Sequence, residues 1–184
     1  MIRRRASLRA LVALLWSLPL PAVAMPAPLQ ANLEYSVKAN YLVRFAVFVE
    51  WPSRAFASPE APVVICVTGR DPFGAVLTDA ADAHTAEGRR IVARALRSAD
   101  RVAGCHMVYV GAATPGEVVA AVERTRGVLL ITDQAVSARR GAIHFVVASG
   151  RVRFHIDNDA AIRAGLNISS RLLSLALSVT EDAP

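Results

Sequence analysis

Three short runs, PVVICVTG (62–69), CHMVYVG (105–111) and GVLLITD (127–133), are apolar at nearly every position. A strand with one wet face alternates apolar and polar residues. These do not, so each has to be covered on both faces, which is the habit of parallel sheets packed between helices. The intervening sequence supplies the helices. One is expected near Phe73–Ala83, after the turn RDPFG, and another over TPGEVVAAVERT, with Pro115 near its first turn. The segment RRIVARAL (89–96) reads as a further strand. Strands alternating with helices predict an α/β fold, a mainly parallel β-sheet flanked by helices. Beyond it, AIHFVVASGRVRFHID predicts an antiparallel hairpin turning at Ser149-Gly150. The segments NDAAIRAG and NISSRLLSLALS predict two terminal helices, the first C-capped by Gly165.

Ahead of the sheet, NLEYSVKANYLVRFAVFVEWP predicts one helix from about Leu33 to Val49. Glu34 and Lys38 form an i,i+4 pair in its first half. Tyr41, Phe45, Phe48 and Val49 recur at helical spacing, while Leu42, Val43, Ala46 and Val47 fill much of the other side. Such a helix belongs in a core. Pro52 turns Trp51 away from helical angles and stops it. Trp51 is the residue of this stretch expected to be partly exposed, where helix meets loop.

The extreme N-terminus has the layout of a secretory signal. Arg3, Arg4, Arg5 and Arg9 precede an apolar run from Ala10 to Leu20, and Ala22-Val23-Ala24 is a small-x-small cleavage site. Residues 1–24 are read as a signal peptide cleaved after Ala24, and residues 25–184 as a single α/β domain in the periplasm. Without the signal, Lys+Arg falls from 21 to 17 against 15 Asp+Glu, leaving a net charge of +2 in place of +6. The basic character sits largely in the export signal, so nucleic acid is not an expected partner. An exported chain with two cysteines, Cys66 and Cys105, is expected to join them in a disulfide, two buried thiols being the alternative.

The sequence carries no recognisable catalytic or metal-binding pattern. His84, His106, His144 and His155 are dispersed and lack zinc-ligand spacing. Asp71, Asp79 and Asp82 do not form a calcium loop. The serines of NISSRLL have no evident base, and VTGRDPFG is neither a Walker loop nor a dinucleotide fingerprint. The expectation is a non-enzyme with no cofactor and no metal.

Several stretches in order resemble the YfiR-like periplasmic proteins: YLVRFAVFVEWP, VTGRDPFG, CHMVYVG, GVLLITD and GRVRFHIDNDAAIRAGLNISSRLLSLA. The resemblance runs from about Tyr35 to Leu177. It implies a compact α/β regulator that represses an inner-membrane diguanylate cyclase or sensor by binding its periplasmic region, so limiting cyclic diguanylate and biofilm. It also implies sequestration by an outer-membrane lipoprotein, and a homodimer. Cys66 and Cys105 match a cysteine pair of the family. Some relatives carry further cysteines near the closing hairpin, and this chain has none there.

Two binding readings follow. For a protein partner, Leu166 and Ile168 are expected to project just after the Gly165 turn as apolar anchors, the alternative being packing on the sheet, as expected for Leu172, Leu173 and Leu175. Arg163 and Arg171 would form their charged rim, with Trp51 as a further contact. For a small ligand, the crevice at the carboxyl ends of the strands is the expected place. There Arg70 and the amides near Gly74 would hold an anion at a helix start.

Overall fold

A computed structural model describes residues 27–181. The export signal read at residues 1–24, with its cleavage after Ala24, lies outside the described residues. Helix α1 (Ala27–Phe48) is followed by β1 (Val49–Glu50), β2 (Val63–Thr68), α2 (Ala75–Asp82), β3 (Thr85–Ala86), β4 (Arg89–Leu96) and β5 (Met107–Val110). Then come α3 (Gly116–Arg124), β6 (Leu129–Asp133), β7 (Ile143–Ala148), β8 (Arg151–Asp157), α4 (Asn158–Arg163), β9 (Asn167–Ile168), α5 (Ser170–Leu173) and β10 (Ser178–Thr180).

Eight strands form one sheet in the order β10-β8-β7-β6-β5-β2-β4-β3. The five strands from β4 to β7 run parallel. The three apolar runs lie side by side in the middle of this block as β2, β5 and β6. Alternate residues of each strand enter different cores, which is why no polar alternation was visible. Ile65, Val67, Met107, Tyr109, Leu129 and Ile131 meet the α1 and α2 side. Cys66, Val108 and Leu130 meet the α3 side, with Val118 and Val122.

The hairpin forms as expected. β7 and β8 are antiparallel, and Ser149 and Gly150 both take positive φ, 51° and 71°, as a tight hairpin turn requires. The aromatic stretch is core. Phe45 is fully buried, stacked on Phe145 at 5.6 Å and edge-on to Phe154 at 5.0 Å. Gly165 follows α4 at φ 80°.

The end of the chain differs in detail from the sequence expectation. The segment NISSRLLSLALS is not one helix. Asn167-Ile168 pairs antiparallel with Glu50-Val49, which are strand and not helix. Ser169 then N-caps the four-residue α5, accepting the Leu172 N–H at 3.4 Å. After a turn, β10 joins the outer edge of β8 in parallel. The leucine spacing is helix-like, but backbone pairing with distant strands overrides it.

Candidate functional site

Leu166 and Ile168 do not project. Each is 4% exposed and belongs to the larger core. The reason is the β1–β9 pairing, which sets Ile168 opposite Val49 and turns its side chain inward. Placing these two residues as exposed anchors is therefore corrected. Arg163 is 65% exposed at its side chain and 3.9 Å from Asp157, and Arg171 is exposed. Other apolar side chains lie in the open nearby. Ile162 on α4, Leu175 and Leu177 before β10, and Val179 within it are 57%, 53%, 51% and 37% exposed. β10 is itself the edge of the sheet, so this apolar set accompanies an unpaired strand edge.

Trp51 is half-buried against the larger core. Its indole N–H donates to the His106 carbonyl at 3.2 Å, and its ring stands edge-on to the His106 imidazole. It closes the end of the core beside the start of β5.

Cys66 and Cys105 are joined in a disulfide with Cα atoms 5.8 Å apart. Cys66 lies within β2 and Cys105 two residues before β5. Parallel pairing of those strands brings the two together. The bridge is buried under Arg94, which donates to the Gly104 carbonyl at 2.6 Å and to the Cys66 sulfur at 3.4 Å.

The anion site imagined at Arg70 and Gly74 is already filled by the chain. Gly74 caps α2 with φ 53°. Asp71 Oδ1 accepts the Phe73 N–H at 2.8 Å and the Gly74 N–H at 3.4 Å. A carboxylate stands where the ligand would sit, and Arg70 is exposed. The second binding reading loses its site for that reason.

The C-terminal ends of β5 and β6 hold something that spacing did not reveal. Lys38 and Asp133 are both fully buried, with ammonium and carboxylate 2.5 Å apart. Lys38 also donates to Glu34. Asp133 accepts the Tyr109 hydroxyl at 2.8 Å and the Ala135 N–H at 2.9 Å. The Tyr35 ring lies 4.9 Å from the ammonium. Burial, then the neighbouring Asp133 charge and its hydrogen bond, hold the Tyr109 hydroxyl protonated far above its usual range. The crevice expected to bind a ligand is thus packed with the side chains of α1.

Three of the histidines are held in place by hydrogen bonds. His144 pairs with Thr132 at 2.8 Å and His155 with Ser178 at 2.6 Å. His106 accepts the Val64 N–H at Nδ1 and stacks on Phe56 at 4.5 Å. Burial pushes its pKa down, the Ala55 carbonyl pulls it up, and Arg89 and Arg94 push it down further. Among the described residues no group of three or more His, Cys, Asp or Glu is placed to hold a metal ion. No described helix is long and apolar enough to cross a membrane.

Compared with known families, residues 35–177 match the YfiR/HmsC-like family. The chain belongs to that family. No curated protein matches it. The YfiR/HmsC-like match spans α1 from Tyr35 through α5 and stops at Leu177, next to β10. It includes both cysteines and the Lys38–Asp133 pair. Of the residues singled out from the sequence of this YfiR/HmsC-like domain, Arg163 and Arg171 lie near the exposed C-terminal face. Trp51, Leu166 and Ile168 lie in or against its core. Sequence reasoning passed over Ile162, Leu177 and Val179, and read Leu175 as packed on the sheet, where it is 53% exposed. Apolar residues at the end of a chain look like core until the strand they flank is known to be an edge.

Proposed function

We propose that this protein is a periplasmic regulator that binds and represses an inner-membrane signalling protein, in the first instance a diguanylate cyclase. The observation that carries this reading is the exposed apolar set Ile162, Leu175, Leu177 and Val179 on and beside an open strand edge, near Arg163 and Arg171. Contiguous apolar surface beside polar residues is what protein partners use. An open strand offers backbone donors and acceptors to an extended segment of the partner. Membership of a family of periplasmic regulatory domains supports the same reading. The Cys66–Cys105 bridge fits an oxidising compartment. An outer-membrane lipoprotein competing for this face would relieve repression, and a homodimer would hide it.

The test is cyclic diguanylate output in cells that carry Ile162→Asp or Leu177→Asp in place of the native chain. Both side chains are exposed, so folding should survive while output rises to the level of a gene deletion. Output that stays repressed in both variants places the interface elsewhere. A deletion with no effect on cyclic diguanylate removes the cyclase from the proposal.

A further inference from the structure

A second apolar surface lies apart from the C-terminal face. Leu33, Val37 and Tyr41 follow one another at four-residue steps along α1, and across from them stand Val147 and Val152, a cross-strand pair of the hairpin. Together they line a groove of about 710 Å³. Leu33 is 59% and Val147 41% exposed, so the apolar walls face solvent. The floor is firm, because the Tyr41 ring packs on Phe45 at 6.0 Å and edge-on to Phe154 at 5.4 Å. Along α1 the groove continues past Asn40 to Arg44. The span from Leu33 to Arg44 is about three helical turns, roughly 16 Å. The strand beside it is an edge here, since β10 is in register with β8 from His155 onward and the Leu177 N–H before it reaches back only to the Phe154 carbonyl.

The charges around the groove are one-sided. Arg44, Arg151 and Arg153 border it, and none is ion-paired among the described residues. Among the described residues lining it the one carboxylate, Glu34, is held by the buried Lys38 ammonium. A second copy of the chain docked here about a two-fold axis would set arginines against arginines. An acidic partner would meet complementary charge.

We propose that the groove between α1 and the β7–β8 hairpin is a second docking surface, taking a segment of a partner protein that carries apolar side chains flanked by Asp and Glu. It lies on other elements than the C-terminal face and does not depend on it.

The probes are two synthetic amphipathic peptides of about three helical turns, with leucine on one face and either Glu or Lys on the other. Each is titrated into the chain from Met25 to Pro184. The Glu peptide should bind saturably, at least about tenfold tighter than the Lys peptide, and more weakly as salt rises. Val147→Asp should abolish binding. Arg151→Glu with Arg153→Glu, at exposed positions that leave the fold intact, should reverse the preference toward the Lys peptide. Ile162→Asp should leave it unchanged, which separates this surface from the one proposed for repression. Equal affinity for the two peptides, or no saturable binding, overturns the proposal. So does a chain dimer that Val147→Asp disrupts, or retention on phosphatidylglycerol vesicles that the arginine reversals abolish.

Discussion

The Lys38 ammonium and the Asp133 carboxylate meet at 2.5 Å with neither side chain exposed to solvent. One comes from the first described helix and the other from the end of a central strand, so the pair fixes the position of α1 on the sheet. Removing one charge leaves the other buried without its partner. Lys38→Met should lower unfolding stability by about 3–5 kcal/mol. Lys38→Met combined with Asp133→Leu should recover part of that, because both charges then leave the interior, though the Tyr109 hydroxyl loses its acceptor. Denaturant midpoints of the two variants measure the difference, and a double variant less stable than the single would contradict it.

The Cys66–Cys105 bridge closes a loop with a sequence separation of 39. Reducing it, or replacing Cys66 by Ser, should cost about 3–4 kcal/mol by the loop-entropy estimate. Thermal melts with and without reductant test this. Partner affinity at a permissive temperature should change far less than the melting temperature, since the bridge lies in the core between β2 and α3, away from both exposed apolar surfaces.

Leu166 and Ile168 should behave as core. Leu166→Ala and Ile168→Ala are each expected to cost about 2–5 kcal/mol of stability. Leu175→Ser, at a side chain 53% exposed, should fall within about 0.5 kcal/mol of the parent. Urea denaturation of the three variants sorts them, and a stable Ile168→Ala would place that residue back at a surface.

His106 gives a pH dependence of definite sign. Burial holds its folded pKa below the ordinary 6.5. As pH falls below about 6.5, the unfolded chain takes up a proton that the folded ring resists, so stability present at neutral pH is lost toward the folded pKa. His144 adds to this in the same direction. The melting temperature should therefore drop as pH is lowered from neutral toward 5, and His106→Gln should make that drop shallower. An unchanged slope in the variant would assign the effect to other groups.

The parallel block was legible because continuous apolar runs leave no wet face to assign. The hairpin was legible because Ser149-Gly150 separates an apolar run from a stretch, RVRFHID, that alternates polar and apolar residues. What escaped depends on residues far apart in sequence. Glu34 and Lys38 do make their i,i+4 contact. Nothing local says that Asp133, 95 positions later, draws the same ammonium into the core. Leu166 and Ile168 looked like the opening of a helix because the strand they meet is remote. The Asn167 side-chain amide reaches Glu50 across a separation of 117. Once that pairing forms, the apolar residues of the last segment trade places: the early ones are buried and the later ones, around β10, are left outside.

That remote pairing also sets an order of events. Helix α1 emerges early in synthesis, yet the rings that cover its own, Phe145 and Phe154, and the strand that pairs with its end, Asn167-Ile168, emerge among the last. Until then the aromatic face of α1 has no surface to close against. Contacts this distant in sequence form slowly, and apolar surface left open meanwhile invites aggregation. The newborn chain therefore carries the aromatic face of α1 uncovered for most of its length, open to its neighbours until the final quarter arrives.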